Sequence, residues 1–459
     1  MRPLSALLIF TLLTFALLAA ILASGILMGA GNAAAWGVAP LSMVFVIGLT
    51  FFGERACFAR PASEPLTSVA TKPRLHWLDN AKATLITMVV VGHSAMPFIG
   101  QGAFLSLKPA PLSWYTATAL TGTALLKPLV VPLFFFISGY FSVSGLARKG
   151  PGAFLRDSFW RLGPAYFLFW LVVNPLNSLF GFALASPSDG AFSYFPDSAA
   201  TWFLSWLLVF QSIWSLVDRP LPPMEPPSFG RLVLLSLGVA AVQLVASLMC
   251  ALAGATLGFG SMPMAGPGGD GFLNALGFVG GLLAKCHDWL ARPPPLSLVR
   301  PARWYVGVCA VFVALFFFLT LAPGAPGNGF AGSGGFTPCF FALQLPLGPY
   351  CACVLVLALD VFQRRANFET RLTKFLAGGA FGVYLLQYWA VTGFTYVYVL
   401  LLEQASDADI VFVNSTTSSS PVSDGELFGG FFFVAACSVI ASFLVGGALK
   451  LVPGLSRVL

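Results

Sequence analysis

Apolar residues fall in long blocks along this chain, separated by short polar, proline-rich or glycine-rich connections. A helix that crosses the hydrocarbon core of a bilayer needs about 20 mainly apolar residues. That pattern predicts twelve spans, at roughly 4–30, 36–53, 79–99, 128–146, 162–182, 200–217, 231–255, 272–284, 304–322, 339–361, 375–401 and 427–449. The run 272–284 (FLNALGFVGGLLA) is short and glycine-rich, and leaves open an earlier start, a tilt or a re-entrant path. The stretch 113–127 reads as an outer helix lying against the bundle. The connections 218–231, 291–303 and 322–338 read as irregular loops, because proline and glycine break regular structure. The N-terminal apolar run exceeds the usual h-region of a signal peptide, so we read it as a retained anchor. The organisation expected is two N-terminal transmembrane helices (1–53), a cytoplasmic loop (54–76), a membrane domain (77–450) and a cytoplasmic tail (451–459). The fold class expected is all-α: a polytopic transmembrane helix bundle of about 10–12 spans with both termini cytoplasmic.

Composition supports this reading. Of 459 residues, 58% are hydrophobic and only 9% charged, against about 25% charged in a soluble domain. So few charges do not make a water-facing globular surface. A cytosolic enzyme, a secreted disulfide scaffold and a nucleic-acid-binding domain are excluded, which leaves the lipid bilayer as the first partner and no nucleic acid. The net charge of +7 mostly records which side the loops lie on. Alternate loops carry the basic residues, among them Arg148, Lys149, Arg156, Arg161, Arg364, Arg365, Arg371 and Lys374. The intervening loops hold Asp189, Asp197, Asp270, Glu403, Asp407, Asp409, Asp424 and Glu426, with only Lys108 and Lys127 as cations. By the positive-inside rule the basic loops are cytoplasmic. The sequon Asn414-Ser415-Thr416 then falls outside, where glycosylation is possible in a eukaryotic host. The eight cysteines sit mostly in apolar spans as small hydrophobes. Neither a metal site nor a disulfide is assigned.

The segment LDNAKATLITMVVVGH, Leu78 to His93, carries the most informative chemistry. The chain has three histidines, and only His93 lies deep in a span, where ionisable groups are rare and functional by default. Lys82 lies about 16 Å before His93 on the same helix face, and Asp79 is three residues before Lys82, in pairing range. One stripe thus carries an ion pair at its mouth and an imidazole far inside. The competing reading is a packing histidine and an interfacial, snorkelling lysine. In the next span Ser138 and Gly139 give a small surface, followed by Tyr140. These suit either a helix-packing notch or the approach of an extended ligand. Arg148, Lys149, Arg156 and Arg161 form a basic cluster that suits topology and lipid contact or a phosphate clamp.

LDNAKATLITMVVVGHS resembles the opening Asp-x-x-Arg-x10-His motif of the acyltransferase 3 family of integral-membrane acyltransferases. PLFFFISGYF is similar to that family's next span, and the run ending Arg161-Leu-Gly-Pro164 to its basic loop. The segment reaching Trp202-Phe203-Leu204 is similar to the start of a later span. Gly382-Val-Tyr384-Leu-Leu-Gln387 is similar to the late Gly-x-Tyr-Leu-x-His element. The resemblance covers about residues 74–450. Two positions depart from it: the family arginine is Lys82, and the late histidine is Gln387.

The resemblance implies transfer of a small acyl group, often acetyl, from cytoplasmic acyl-CoA to a hydroxyl, commonly on a carbohydrate. Acyl-CoA is then a co-substrate, and no tightly bound cofactor is expected. On this reading the CoA phosphates rest on Lys82, Arg148, Lys149, Arg156 and Arg161, the pantetheine arm runs up the groove beside the Lys82–His93 stripe, and Ser138, Gly139 and Tyr140 are further donor-binding residues. Asp79 orients Lys82. His93 acts as general base or carries the acyl group as nucleophile; the residues leave both open. Trp202, Tyr384 and Gln387 are secondary site residues. The alternatives are a multi-pass transporter or export protein with a His93 proton relay, and a non-catalytic family member.

Overall fold

The computed structural model describes residues 75–101, 105–107, 109–110, 112–185, 199–216, 224–252, 270–321, 338–406 and 422–449. The two N-terminal spans, the loop up to residue 74, Asn414 and the tail 451–459 lie outside the described residues.

Eleven α-helices account for nearly all of the described chain. They are α1 His76–Ala95, α2 Trp114–Lys149, α3 Pro151–Leu168, α4 Asn174–Ala185, α5 Trp202–Ser215, α6 Phe229–Leu252, α7 Gly271–Cys286, α8 Leu296–Leu321, α9 Pro338–Arg365, α10 Arg371–Ser406 and α11 Asp424–Leu449. A π-helical turn, Phe169–Val173, joins α3 to α4. Among the described residues eight stretches are long and apolar enough to cross a membrane, and the chain is an integral, multi-pass membrane protein. All ten spans expected from residue 79 onward coincide with helices. Two of them, α5 and α7, have only 14 and 16 residues, about 21 and 24 Å, less than a hydrocarbon core of about 30 Å.

The expectation of a separate outer helix over 113–127 is corrected. Trp114–Lys149 is one helix of 36 residues, and Pro128 and Pro132 lie inside it. Its start is fixed from two sides. The Ser113 hydroxyl oxygen accepts from the Thr116 N–H at 3.1 Å, which is ordinary N-capping. Asp424, at the head of α11, accepts from the Ser113 hydroxyl at 2.5 Å and from the Trp114 and Tyr115 N–H groups at 3.0 and 3.1 Å. Two N–H groups left over at a helix start and the capping hydroxyl thus meet one carboxylate. At the other end Gly150, with φ +74°, turns the chain into α3, whose first residue is Pro151; that backbone conformation favours glycine.

Glycines explain how α7 packs. A methyl group on Gly277, Gly281 or Gly139 would collide with the carbonyl oxygens of Pro132, Phe136 and Phe278 respectively. The PLFFFISGY stretch of α2 and the FVGG stretch of α7 therefore meet backbone to backbone. Small residues let membrane helices do this where no hydrophobic driving force separates helix from lipid.

The helices leave a basic end and an acidic end. Arg148, Lys149, Lys285, Arg364, Arg365, Arg371 and Lys374 lie at helix termini of the first end; Asp270 and Asp424 begin helices at the other. The basic end is latched at the head of α1. The Asn80 amide donates to the Ala366 and Phe368 carbonyls at 2.7 and 2.8 Å, and His76 Nδ1 lies 3.1 Å from Glu369.

Candidate functional site

The site is built on α1. Asp79 and Lys82 sit in its first two turns, with Lys82 Nζ 3.4 Å from Asp79 Oδ1. The same ammonium lies 4.8 Å from the centre of the Phe141 ring on α2. His93 is about three turns further along.

A cavity of about 890 Å³ runs past this stripe, and Lys82 and His93 both line it. Along α2 its wall extends from Tyr115 to Ser138, about 35 Å of helix, comparable with the thickness of a hydrocarbon core. The opposite wall holds Trp202 from α5 and Tyr384 and Tyr388 from α10. A small second cavity of about 50 Å³ adjoins His93, bounded also by Gln101, Tyr388 and Thr392. The imidazole therefore stands between two spaces.

Gln387 holds the ring. Its side chain is fully buried. Its Oε1 lies 3.1 Å from His93 Nδ1, and its Nε2 donates to the Tyr384 carbonyl at 3.2 Å. A carbonyl only accepts, so the amide nitrogen must face Tyr384 and the amide oxygen must face the ring. That oxygen also only accepts, so Nδ1 carries the proton and Nε2 presents its lone pair. Tyr388 stacks on the ring at 4.8 Å between centroids, 17° from parallel, with its hydroxyl 3.5 Å from Nε2.

The other expected site residues divide. Ser138 lines the cavity, whereas Gly139 lies in the seam with α7. Tyr140 is buried beneath the Lys285 ammonium, 4.9 Å from its ring centre. Arg148, Lys149, Arg156 and Arg161 are exposed around the α2–α3 corner. None of the four lines the cavity, and Lys149 pairs with Asp157 at 2.6 Å. Phe141, the neighbour of Lys82, is about 10 Å along α2 from Arg148, so the cluster flanks the basic mouth. Tyr388 is a contact that the sequence reading missed. Its signal was there: Tyr384, Gln387 and Tyr388 are three and four residues apart and share one face of α10.

Among the described residues no group of three His, Cys, Asp or Glu side chains is arranged to hold a metal ion. The acyltransferase 3 family model, described as an acyltransferase domain, matches residues 75–447. No curated protein matches the chain.

Proposed function

The chain belongs to the acyltransferase 3 family, and from that premise we propose that it moves a small acyl group, acetyl by preference, from acyl-CoA to a hydroxyl, with a carbohydrate as the favoured carrier of that hydroxyl. Family membership makes it a membrane acyltransferase. The observation that carries the finer reading is the place of His93: on the wall of a cavity as long as a membrane is thick, about 16 Å along α1 from Lys82, with Nδ1 protonated and an Nε2 lone pair that can take a proton.

On this reading the basic end faces the cytoplasm, as the positive-inside rule requires. The CoA phosphates meet Lys82 and the exposed Arg148, Lys149, Arg156 and Arg161 at that mouth. Lys82 offers a point charge where the family has the arginine fork. Asp79 keeps the ammonium near the cavity, and the pantetheine arm passes Ser138 towards His93. The acceptor hydroxyl gives its proton to His93 Nε2 as its oxygen bonds to the acyl carbon. The carbon–sulfur bond breaks, and the proton passes to the departing thiolate. Gln387 accepts from Nδ1–H throughout. An amide oxygen stabilises the imidazolium as a dipole and cannot take its proton, so no proton leaves by that route. Tyr388 stacks beside the ring and keeps its plane. The nucleophile route, in which Nε2 carries the acyl group, uses the same geometry.

The test is thiol release from acetyl-CoA by purified protein in lipid nanodiscs, with a panel of hydroxyl acceptors supplied to take the acetyl group. Release that depends on the protein and saturates with acetyl-CoA is expected. Binding of acyl-CoA without any release would favour a non-catalytic member of the family.

A further inference from the structure

We propose that the acceptor hydroxyl belongs to a lipid, in place of the carbohydrate favoured above, and that its chain lies where the cavity passes between α2 and α11, called here its side limb; this rests on the acyltransfer reading above and changes only its acceptor. The limb is walled by Gly92 of α1, Gly122 and Leu126 of α2, and Phe428 and Phe432 of α11. Thr118 and Thr123 of α2 also line the cavity here, but their hydroxyls already donate to the Trp114 and Ala119 carbonyls at 2.8 and 2.9 Å, so they offer a polar ligand acceptors only. At Gly92 and Gly122 an added methyl group would meet nothing within 4 Å, so both glycines border open space. Gly92 immediately precedes His93, so the limb ends beside the imidazole.

Its mouth opens on hydrocarbon. Leu126 is 38% exposed and Phe432 is 65% exposed, yet both also line the cavity. They stand inside helices long and apolar enough to cross a membrane. Phe432 is eight residues into α11, about 12 Å from its start. A water-soluble sugar would have to bury most of its hydroxyls here without partners, which is unfavourable. An alkyl chain already in lipid has no such cost, and gains little from the transfer either. The limb therefore supplies access and register, and the hydroxyl end supplies recognition.

The donor fits this limb poorly. Its phosphates need cations. The cavity has Lys82 at the basic mouth, whereas Lys127, the cation nearer the limb, is paired with Asp270 at 3.1 Å. Donor and acceptor thus reach His93 from different sides. In the transfer the lipid alcohol's oxygen bonds to the acyl carbon, the thioester carbon–sulfur bond breaks, and the hydroxyl proton passes through His93 to the thiolate.

The probe is hexadecanol carrying a chain diazirine, in phosphatidylcholine nanodiscs with acetyl-CoA. Photolabel is expected on the peptides holding Gly122, Leu126 and Phe432, together with hexadecyl acetate. Hexadecyl acetate formed per folded protein should fall at least tenfold in Gly122→Leu, and in Leu126→Trp should that first variant fail to insert. Trp304→Ala, on the exposed face of α8, should leave it unchanged. Label confined to the α8 face, or unchanged ester formation in the groove variants, overturns the lipid acceptor while thiol release still supports acyl transfer. Absence of thiol release in the wild-type protein overturns the acyltransfer reading itself.

Discussion

Replacing Gln387 with leucine isolates what the amide does for His93. The two side chains have similar volumes, so packing around a fully buried position is largely kept. What disappears is the acceptor 3.1 Å from Nδ1 and the donor 3.2 Å from the Tyr384 carbonyl. In the resting enzyme a neutral hydrogen bond is worth about 0.5–1.5 kcal/mol. When the ring takes a proton, the bond from Nδ1–H becomes charge-assisted and is worth about 1.5–3 kcal/mol. The difference, about 1–2 kcal/mol, is lost from the transition state alone. It corresponds to a fall in kcat of about 5- to 30-fold. The donor KM should change little, because Gln387 does not line the cavity. Gln387→Glu supplies an acceptor again and should recover most of kcat if the carboxylate is ionised. Steady-state thiol release with varied acetyl-CoA reads both constants. A Gln387→Leu enzyme with wild-type kcat, or one whose only defect is a raised KM, would refute the positioning role.

Three further perturbations probe other parts of the account. Lys82→Ala should raise the donor KM about 5- to 20-fold, the lower part of the range for a charge-assisted contact because the ammonium is one-third exposed; Lys82→Arg should keep activity, and an unchanged KM in Lys82→Ala would leave the Asp79 pair as a helix anchor only. Gly281→Leu should collide with the Phe136 carbonyl and cost about 3 kcal/mol or more, seen as lost monodispersity in detergent; normal thermal unfolding would contradict the backbone contact of α2 with α7. Asp424→Ala removes the acceptor for three donors at the head of α2 and should lower stability by about 1–3 kcal/mol, measured by thermal unfolding, with thiol release per folded molecule near normal.

The spans and the α1 stripe were legible because each rests on one periodic signal: apolar run length, and the 3.6-residue turn that aligns Asp79, Lys82 and His93. The continuity of α2 was not. Lys127-Pro128 reads as a boundary, since a charge and a proline commonly end a span, and what holds the first turn of α2 is Asp424, about 310 residues away in sequence. The seam had a visible signal, the GFVGG of α7, but which glycine faces which carbonyl depends on a register that no local pattern fixes. Gly139 illustrates this: the same small residue suits a ligand groove or a helix contact, and its neighbour Ser138 alone lines the cavity. The His93–Gln387 contact joins residues 294 apart. The family pattern marked position 387 as different, but only the fold shows that the substitution lies against the imidazole. Charge pattern alone also does not fix where the basic cluster sits: a helix corner exposes Arg156 and Arg161 to solvent outside the cavity wall.

His93 carries the central claim, and its removal tests it most directly. The measurement is thiol release and acyl-ester formation from labelled acetyl-CoA by wild-type and His93→Ala protein in the same nanodiscs, normalised to folded protein. The account predicts that His93→Ala inserts and binds acetyl-CoA within about threefold of wild type, because the donor's charged end is held at Lys82, about 16 Å away. It also predicts a loss in kcat of about 100-fold or more, the contribution of a positioned acid–base group. Turnover within a few-fold of wild type would contradict the account, and would place the chemistry on another residue of the cavity.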